Sequence, residues 1–212
     1  MQTIPLLKLD WCSFEAAKYA CVNWHYSKTI PAGKRVMIGV WENSCFIGSI
    51  IFSTGAAPQS HCPYKLKRTE VCELTRIALT KHITPVTRLV KIAFKLLKKL
   101  CPNIKLIISY ADPEQGHTGQ IYKAGNWINE GKTGLCEHFQ TESGKRIHSK
   151  TLKTGKKGYA TKLLREGKVK SIKTWKYKYI YWLNKREPIS TDSSFPVEKG
   201  GANPTLTLQK SL

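Results

Sequence analysis

The sequence predicts a single α/β or α+β domain built on one mixed sheet. Helical and strand patterns alternate over residues 70–130, and one short apolar run is typical of a strand buried on both faces. The length of 212 residues suffices for one such domain with a sizeable core. A hydrophobic content of 41% excludes a fully disordered chain.

The first predicted elements are a helix and a β-hairpin. Residues 13–24 carry apolar side chains at positions i, i+3, i+4 and i+7, and Ser13 can cap the helix that they form. Residues 35–41 and 45–54 are rich in valine, isoleucine, phenylalanine and tryptophan, and a short polar turn separates them. We therefore expect two antiparallel strands after the first helix.

A strand and the clearest helix follow. Alternation over residues 70–79 predicts the strand. The helix is predicted over residues 84–100, because Thr84 can cap it and Pro85 suits its first position. Its leucines and isoleucine form one apolar stripe, and its lysines lie on the exposed side.

The rest of the sheet is predicted from four short segments. Residues 104–110 form the apolar run of a buried strand, and residues 117–124 predict a short helix that ends at a Gly-Asn pair. Residues 127–130 predict a further strand. Residues 174–183 alternate strongly, so we expect a strand whose aromatic rings share one face, at least half of them in the core.

The net charge of +21 indicates a polyanionic partner. Nucleic acid is the first candidate, an anionic membrane surface the second, and solubility alone the third. Residues 143–186 hold 15 Lys or Arg and one acidic residue, so a net charge of +14 lies in this region. We expect one domain over residues 1–188 and a flexible tail, rich in Ser, Thr, Pro and Gly, over residues 189–212.

The cysteines and the apolar runs indicate a cytoplasmic protein. The seven cysteines are odd in number and none has C-x-x-C spacing, so neither a disulfide framework nor an all-cysteine zinc site is supported. No apolar run approaches the roughly 20 residues that span a bilayer. The N-terminus lacks the pattern of a secretory signal, and we expect no membrane partner.

Two motifs carry titratable residues that suit catalysis. In NWHYSK, His25 and Tyr26 leave the first helix and offer an imidazole and a phenol, although a capping and packing role is equally simple. In SYADPEQGHTG and the helix after it, Asp112, His117 and Tyr122 follow the end of a buried strand, where ligands gather in α/β sheets. The alternative for Asp112 is a turn cap.

Two further segments could bind a ligand. In ELTR, a regular strand would place Glu73 and Arg76 on opposite faces, as a buried structural pair or as substrate-binding residues. The start of the long helix, with Arg88 nearby, offers amide groups to an anion. The chain has no P-loop, H-E-x-x-H or G-x-S-x-G motif.

The basic region offers cations to phosphates with little sequence preference. Its aromatic residues can stack on unpaired bases. The residues that we assign to contacts with DNA are Lys145, Arg146, Lys150, Lys153, Lys156, Lys157, Lys173, Lys176 and Lys178.

Several motifs, taken in order, resemble those of the phage Mom DNA-modification proteins. They are NWHYSK followed by PAGK, then ELTRIAL, a helix carrying TRL, ISYADPEQGHTGQIYKAGNW and KYKYIYWLNKR, over about residues 11–186. The resemblance implies a divergent GNAT acyltransferase fold. It also implies an enzyme that adds a carbamoylmethyl (acetamido-type) group to the exocyclic amine of adenine in double-stranded DNA, which protects phage DNA from host restriction in the host cytoplasm.

The resemblance also implies roles for individual residues. It assigns catalysis to His25, Tyr26, Ser109, Asp112 and Tyr122. We assign the binding of an acyl donor of coenzyme A type to Glu73, Arg76, Thr87 and Arg88, although the Q/R-x-x-G-x-G/A pattern of GNAT enzymes is missing at the helix start. Bound iron is a further implication, with His25, Asp112 and His117 as donors.

Two other functions are compatible with the sequence. One is a GNAT acetyltransferase that acts on tRNA or protein, which the missing glycines disfavour. The other is a nucleic-acid-binding protein without catalysis, in which Asp112, His117 and Tyr122 are structural. The modified nucleosides of expressing cells distinguish the three functions.

Overall fold

The chain forms a seven-stranded sheet and a smaller, three-stranded sheet. The computed structural model describes residues 4–144, 146–148 and 159–184. The strands are β1 (Leu7–Trp11), β2 (Arg35–Glu42), β3 (Cys45–Ser53), β4 (Val71–Leu79), β5 (Leu106–Ala111), β6 (Ile128–Lys132), β7 (Cys136–Thr141), β8 (Arg146–His148), β9 (Val169–Thr174) and β10 (Tyr177–Trp182). The helices are α1 (Phe14–Trp24), α2 (Val86–Leu100), α3 (Gln120–Ala124) and α4 (Tyr159–Arg165).

The large sheet is mixed, as the sequence predicts. Its strand order is β1-β2-β3-β4-β5-β10-β6, in which β4 and β5 are parallel and the other neighbours are antiparallel. Helix α1 packs on one face through Ala17, Ala20 and Cys21. Helix α2 packs on the other face, where Leu89 and Phe94 join the main core. The predicted mixed central sheet with flanking helices is confirmed.

A β-bulge in β4 changes which residues share a face. Ile51 pairs with Arg76 and Phe52 with Leu74, so Thr75 is the extra residue. The Thr75 hydroxyl donates to the carbonyl oxygen of Ile51 over 3.0 Å and holds the bulge. The regular alternation predicted for this strand is therefore wrong beyond Leu74.

The start of α2 and the length of α3 differ from the predictions. Pro85 takes the N-cap position and α2 begins at Val86, so Thr84 does not cap the helix. Helix α3 covers residues 120–124 only, and His117 lies in the loop before it. Ser13 does cap α1, since its hydroxyl oxygen accepts the N–H of Ala16 over 3.1 Å.

The small sheet and β1 were not predicted. Its strand order is β8-β7-β9, and it lies between β6 and β10 in the chain. Phe139 and Val169 form its small core with Leu163 of α4. So small a core requires few apolar residues, so the sequence shows little apolar periodicity here. The many lysines make the little periodicity that exists hard to recognise. Strand β1 is an edge strand whose residues are mostly exposed.

The basic C-terminal region enters the large sheet. Strand β10 lies between β5 and β6, and Tyr177, Tyr179 and Tyr181 pack in or against the main core, as predicted for that aromatic face. Lys145, Lys150, Lys153, Lys156 and Lys157, the side chain of Arg146, and the tail over 189–212 lie outside the described residues.

Two further observations concern the cysteines and the helices. All seven cysteines are free thiols. No helix in the part of the chain that the structure describes combines the length and the apolar composition needed to cross a membrane.

Gly48 is required where β3 passes β4. Its φ is +145°, and a Cβ atom built on it would lie 2.0 Å from the carbonyl oxygen of Ala78. We expect Gly48→Ala to lower the free energy of unfolding by at least about 1 kcal/mol, measured by urea denaturation. Gly134→Ala is the matched control, because no atom lies within 4 Å of its Cβ position. Equal stability of the two variants would contradict the prediction.

Candidate active site

The candidate site is a cleft at the point where β4 and β5 stop pairing. These parallel strands pair at three positions, ending with Glu73 and Ile108. Beyond that pair, the strands bound a cleft of about 530 Å³ together with the end of α1 and the start of α3. The sequence-predicted residues that line it are His25, Tyr26, Arg76, His117 and Tyr122.

A chain of hydroxyl groups bridges the gap between the two strands. Ser109 of β5 donates to the carbonyl oxygen of Leu74 over 2.8 Å, just before the bulge. The Ser109 and Tyr122 hydroxyl oxygens are also 2.8 Å apart. Because the single Ser109 proton goes to the carbonyl oxygen, Tyr122 is the donor in this second bond. Ser109 is 1% exposed, so its contribution to the cleft is made through Tyr122.

Tyr122 keeps its proton at neutral pH. Burial raises the pKa of its phenol to about 12, although the hydrogen bond with Ser109 acts to lower it. The ring stacks on Tyr179 with centroids 4.6 Å apart and meets Trp127 edge-on at 5.1 Å. The cleft therefore holds a rigidly placed phenol that can donate a proton.

His25 is neutral at physiological pH. Burial lowers its pKa to about 4, and the positive charge of Arg76 adds to this effect. The Nδ1 atom lies 2.8 Å from the Ser27 hydroxyl and accepts the Ser27 backbone N–H over 3.1 Å. Since a backbone N–H can only donate, the hydrogen-bond pattern assigns the ring proton to Nε2.

Tyr26 lies at the rim of the cleft between two imidazole rings. Its ring centroid is 4.3 Å from that of His25 and 5.0 Å from that of His117, the latter edge-on. Tyr26 is 46% exposed, so much of the ring is available to a ligand. Burial of the hydroxyl raises the pKa of Tyr26, and the phenol stays neutral. This arrangement can stack a planar base.

The bulge places Glu73 and Arg76 on the same face of β4, which corrects the opposite-face prediction. The Arg76 guanidinium donates to the carbonyl oxygens of Thr29 and Thr75, over 3.2 Å and 2.7 Å. Burial raises the pKa of Glu73 above its ordinary value, although the Ala56 backbone N–H and nearby cations act in the opposite direction. Glu73 therefore holds the 54–56 loop against β4, and only Arg76 of this pair lines the cleft.

The segment just before α2 is bonded to a carboxylate from within the protein. Glu42, 6% exposed, accepts the N–H of Ile83 over 3.0 Å and the N–H of Thr84 over 2.7 Å. Pro85, the next residue, has no N–H. These amides are not open to a diphosphate, and the predicted donor-binding residues Thr87 and Arg88 lie outside the cleft lining.

Asp112 caps a short helical turn beside the cleft. Its carboxylate accepts the N–H of Glu114 over 3.1 Å and lies 3.8 Å from the Lys176 ammonium group. It lies outside the cleft lining, so the turn-cap alternative describes its position. A catalytic role for Asp112 stays a prediction.

The predicted iron donors do not fit a metal site. No group of three or more His, Cys, Asp or Glu side chains within the described ranges is arranged to hold a metal ion. His25 Nδ1 is occupied by Ser27, and Asp112 is bonded to Glu114 and Lys176. The expectation that His25, Asp112 and His117 form an iron site is therefore not met by this arrangement.

Some residues predicted to contact DNA are paired within the protein. Lys178 lies 3.0 Å from the Glu130 carboxylate, and Lys176 is the partner of Asp112. These two lysines of the basic region therefore lie at the large sheet, and Lys176 is next to Asp112. Lys173 is exposed on β9.

Sequence analysis missed two residues that shape the site. Tyr179 fixes the Tyr122 ring, and Thr75 forms the bulge. The aromatic alternation of the last strand was a signal for Tyr179, but it did not show which neighbour the ring would meet. No local pattern marks Thr75.

Comparison with known proteins identifies the family. The model of the Mom protein family matches residues 6–196, most of the chain. The chain belongs to the Mom protein family. The methylcarbamoylase Mom of Escherichia phage Mu is 25% identical over 187 residues, which cover 85% of this chain and 77% of the relative. The resemblance found in the motifs is confirmed.

This Mom-family chain is also similar to solved acetyltransferase structures. An aminoglycoside 6'-acetyltransferase of type Ii is 10% identical with a TM-score of 0.48, over 85% of this chain and 99% of that chain. An N-acetyltransferase from Staphylococcus aureus Mu50 is 13% identical, also with a TM-score of 0.48, over 84% of this chain and 98% of that chain.

Proposed function

We propose that this protein is a GNAT-type transferase that adds a carbamoylmethyl group to the exocyclic amine of adenine in DNA, and so shields phage DNA from restriction. The observation that carries the proposal is the cleft in a Mom-family chain where the Tyr122 phenol and the neutral His25 imidazole line one cavity. Both groups hold a proton that they can donate.

The target adenine must leave the duplex to reach this cleft. Enzymes that act on a base within DNA extrude it into a pocket and hold it by stacking. The half-exposed ring of Tyr26 supplies the stacking surface at the rim. The guanidinium of Arg76, the cleft's only formally charged lining residue within the described chain, supplies an anchor for an anionic group.

The reaction joins the adenine amine to the methylene carbon of a donor with an activated leaving group. The N–C bond forms as the bond from that carbon to the leaving group breaks. The amine loses one proton, for which we propose the exposed imidazole of His117. The leaving group gains one from the Tyr122 phenol, whose O–H turns from Ser109 to the leaving group as the donor bond breaks. His25 Nε2–H can donate to the carbamoyl oxygen. Ser109 holds the phenol in place.

The segment just before α2 offers fewer free amides to a donor than the sequence suggests. A donor of coenzyme A type would have to reach the cleft without the amides of Ile83 and Thr84, because Glu42 binds both. The groove between α2 and α3 beside Thr87 has a volume of only about 10 Å³. We therefore propose that the donor reaches the reacting atoms through the open mouth of the cleft.

Expression of the chain in a bacterial host without phage genes tests the function. We expect mass spectrometry of the digested DNA to reveal deoxyadenosine that is heavier by one carbamoylmethyl group. A mass gain confined to RNA nucleosides would instead indicate the tRNA-directed transferase. Unmodified DNA and RNA in cells that contain the folded protein would contradict the proposal and favour a binding protein without catalysis.

A further inference from the structure

A second cleft lies behind one wall of the candidate active site. Its volume is about 470 Å³, within the range of roughly 300–1,000 Å³ that small-molecule pockets have. Gly116, His117 and Thr118 line both clefts, so one turn of backbone separates them. The other lining residues of the second cleft are Pro113, Lys123, Asn129, Tyr177 and Tyr179.

The dividing turn is fixed at both ends by glycines in the left-handed region. The φ angles of Gly116 and Gly119 are +72° and +78°. A Cβ atom on Gly119 would lie 2.1 Å from the Tyr179 hydroxyl oxygen, so the turn packs directly on β10. The backbone N–H of His117 donates to the carbonyl oxygen of Asp112 over 3.2 Å. The two clefts therefore have a fixed spacing.

The second cleft carries the side chains that recognise nucleotides. Tyr177 is half-buried, lines the cleft and meets the Trp175 ring edge-on at 4.9 Å. The Asn129 side-chain oxygen accepts the N–H of Gly131 over 2.8 Å, so the donors of this lining side chain are its amide N–H groups. Lys123 is an exposed cation. Ring, amide and cation suit base stacking, base-edge contact and phosphate contact.

The nearby carboxylate does not oppose an anionic ligand strongly. Asp112, directly before Pro113 of the cleft wall, lies 3.8 Å from the Lys176 ammonium group and caps the turn. The donor molecule suits the second cleft less well than a nucleotide does. The reacting atoms of the donor must contact His25 and Tyr122, and neither residue lines this cleft.

We propose that the second cleft binds the nucleotide adjacent to the target adenine on the same strand. The proposal rests on the proposed function, since it takes the first cleft as the adenine pocket. Consecutive nucleotides then lie on either side of the His117–Thr118 turn, and Asn129 contacts the edge of the neighbouring base while Lys123 contacts its phosphate. The cleft thereby sets a preference for the base next to the modified adenine.

Binding of short oligonucleotides tests this assignment with the full chain. Fluorescence anisotropy would be measured for single-stranded oligonucleotides that contain one adenine and differ only in its neighbouring base. We expect the wild-type protein to prefer one neighbour by about fivefold or more, the lower end of base discrimination by such contacts. Asn129→Ala should abolish that preference. Lys123→Gln should weaken binding to all oligonucleotides by a similar factor and reduce the salt dependence.

The controls are Asn103→Ala and Lys95→Gln, which change the same residue types at exposed positions elsewhere. A wild-type protein without neighbour preference, or an Asn129→Ala variant with the wild-type profile, overturns the proposal. The two failures are distinguishable. The proposed function fails if expressing cells contain no modified deoxyadenosine, whereas the assignment of the second cleft fails on the binding profile.

Discussion

Replacement of Tyr122 by phenylalanine is expected to lower the rate of adenine modification by about 100- to 10,000-fold, the usual contribution of a general acid or base. The phenol is the cleft's proton donor in the proposed reaction, and its pKa of about 12 keeps it protonated. The phenylalanine ring retains the stacking on Tyr179 and the contact with Trp127. The loss should therefore lie in the chemical step and not in the fold.

The measurement is the amount of modified deoxyadenosine per total deoxyadenosine, taken over a time course of expression. Tyr64→Phe is the control, because it also removes a hydroxyl that is hydrogen-bonded, to Glu130, at a position outside the cleft. Thermal unfolding and DNA binding should be close to wild type for Tyr122→Phe. Modification by Tyr122→Phe at the wild-type rate would remove the phenol from the mechanism.

Ser109 provides a graded test of the same arrangement. Ser109→Ala keeps the phenol but removes the acceptor that orients it and the bond to the Leu74 carbonyl oxygen. A positioning residue of this kind should cost less in rate than the loss of the phenol itself. The order of activities expected is wild type, Ser109→Ala, then Tyr122→Phe.

Local patterns in the sequence identify most of the large sheet and several residues of the site. The helix of residues 13–24, the hairpin and the buried fifth strand have strong periodicity, and each forms at nearly its predicted position. His25, Tyr26, His117 and Tyr122 were found because titratable residues cluster at the ends of predicted elements. They meet in one cleft because the elements that carry them converge where β4 and β5 separate.

The features that local patterns miss are set by contacts between distant segments. The bulge at Thr75 depends on the register of β3 against β4, so alternation within β4 alone assigned Glu73 and Arg76 to opposite faces. The position of β10 between β5 and β6 depends on sheet order, which places Lys176 beside Asp112. Local patterns therefore do not show that Lys176 lies next to a residue of the candidate site.

The carboxylate of Glu42 illustrates the same limit and carries the largest expected effect on stability. Glu42 belongs to the end of β2, and its hydrogen-bond partners Ile83 and Thr84 lie 41 and 42 residues later in the chain. Glu42→Ala leaves these backbone N–H groups without their partner at a site where Thr84 is 4% exposed. An unsatisfied buried donor costs about 1–3 kcal/mol, so we expect a loss of about 3 kcal/mol in the free energy of unfolding.

The pH dependence of stability distinguishes the charge of Glu42 from its shape. Burial acts to raise its pKa, but hydrogen bonds from the Thr84 side chain and from the N–H groups of Ile83 and Thr84, with the nearby His82, bring the pKa below its ordinary value. A carboxyl with a lowered pKa stabilises the folded state fully above the ordinary carboxyl range. That stability is lost as the pH falls through the lowered pKa.

We therefore expect urea denaturation at a series of pH values to show a smaller decrease toward low pH in Glu42→Gln than in the wild type. The glutamine keeps the size of the side chain and one carbonyl acceptor but cannot ionise, so it should also be more stable than Glu42→Ala at neutral pH. Glu142→Gln, which changes an exposed glutamate, is the control and should retain the wild-type pH profile. If Glu42→Gln follows the wild-type profile as well, the ionised carboxylate is not what holds the start of α2.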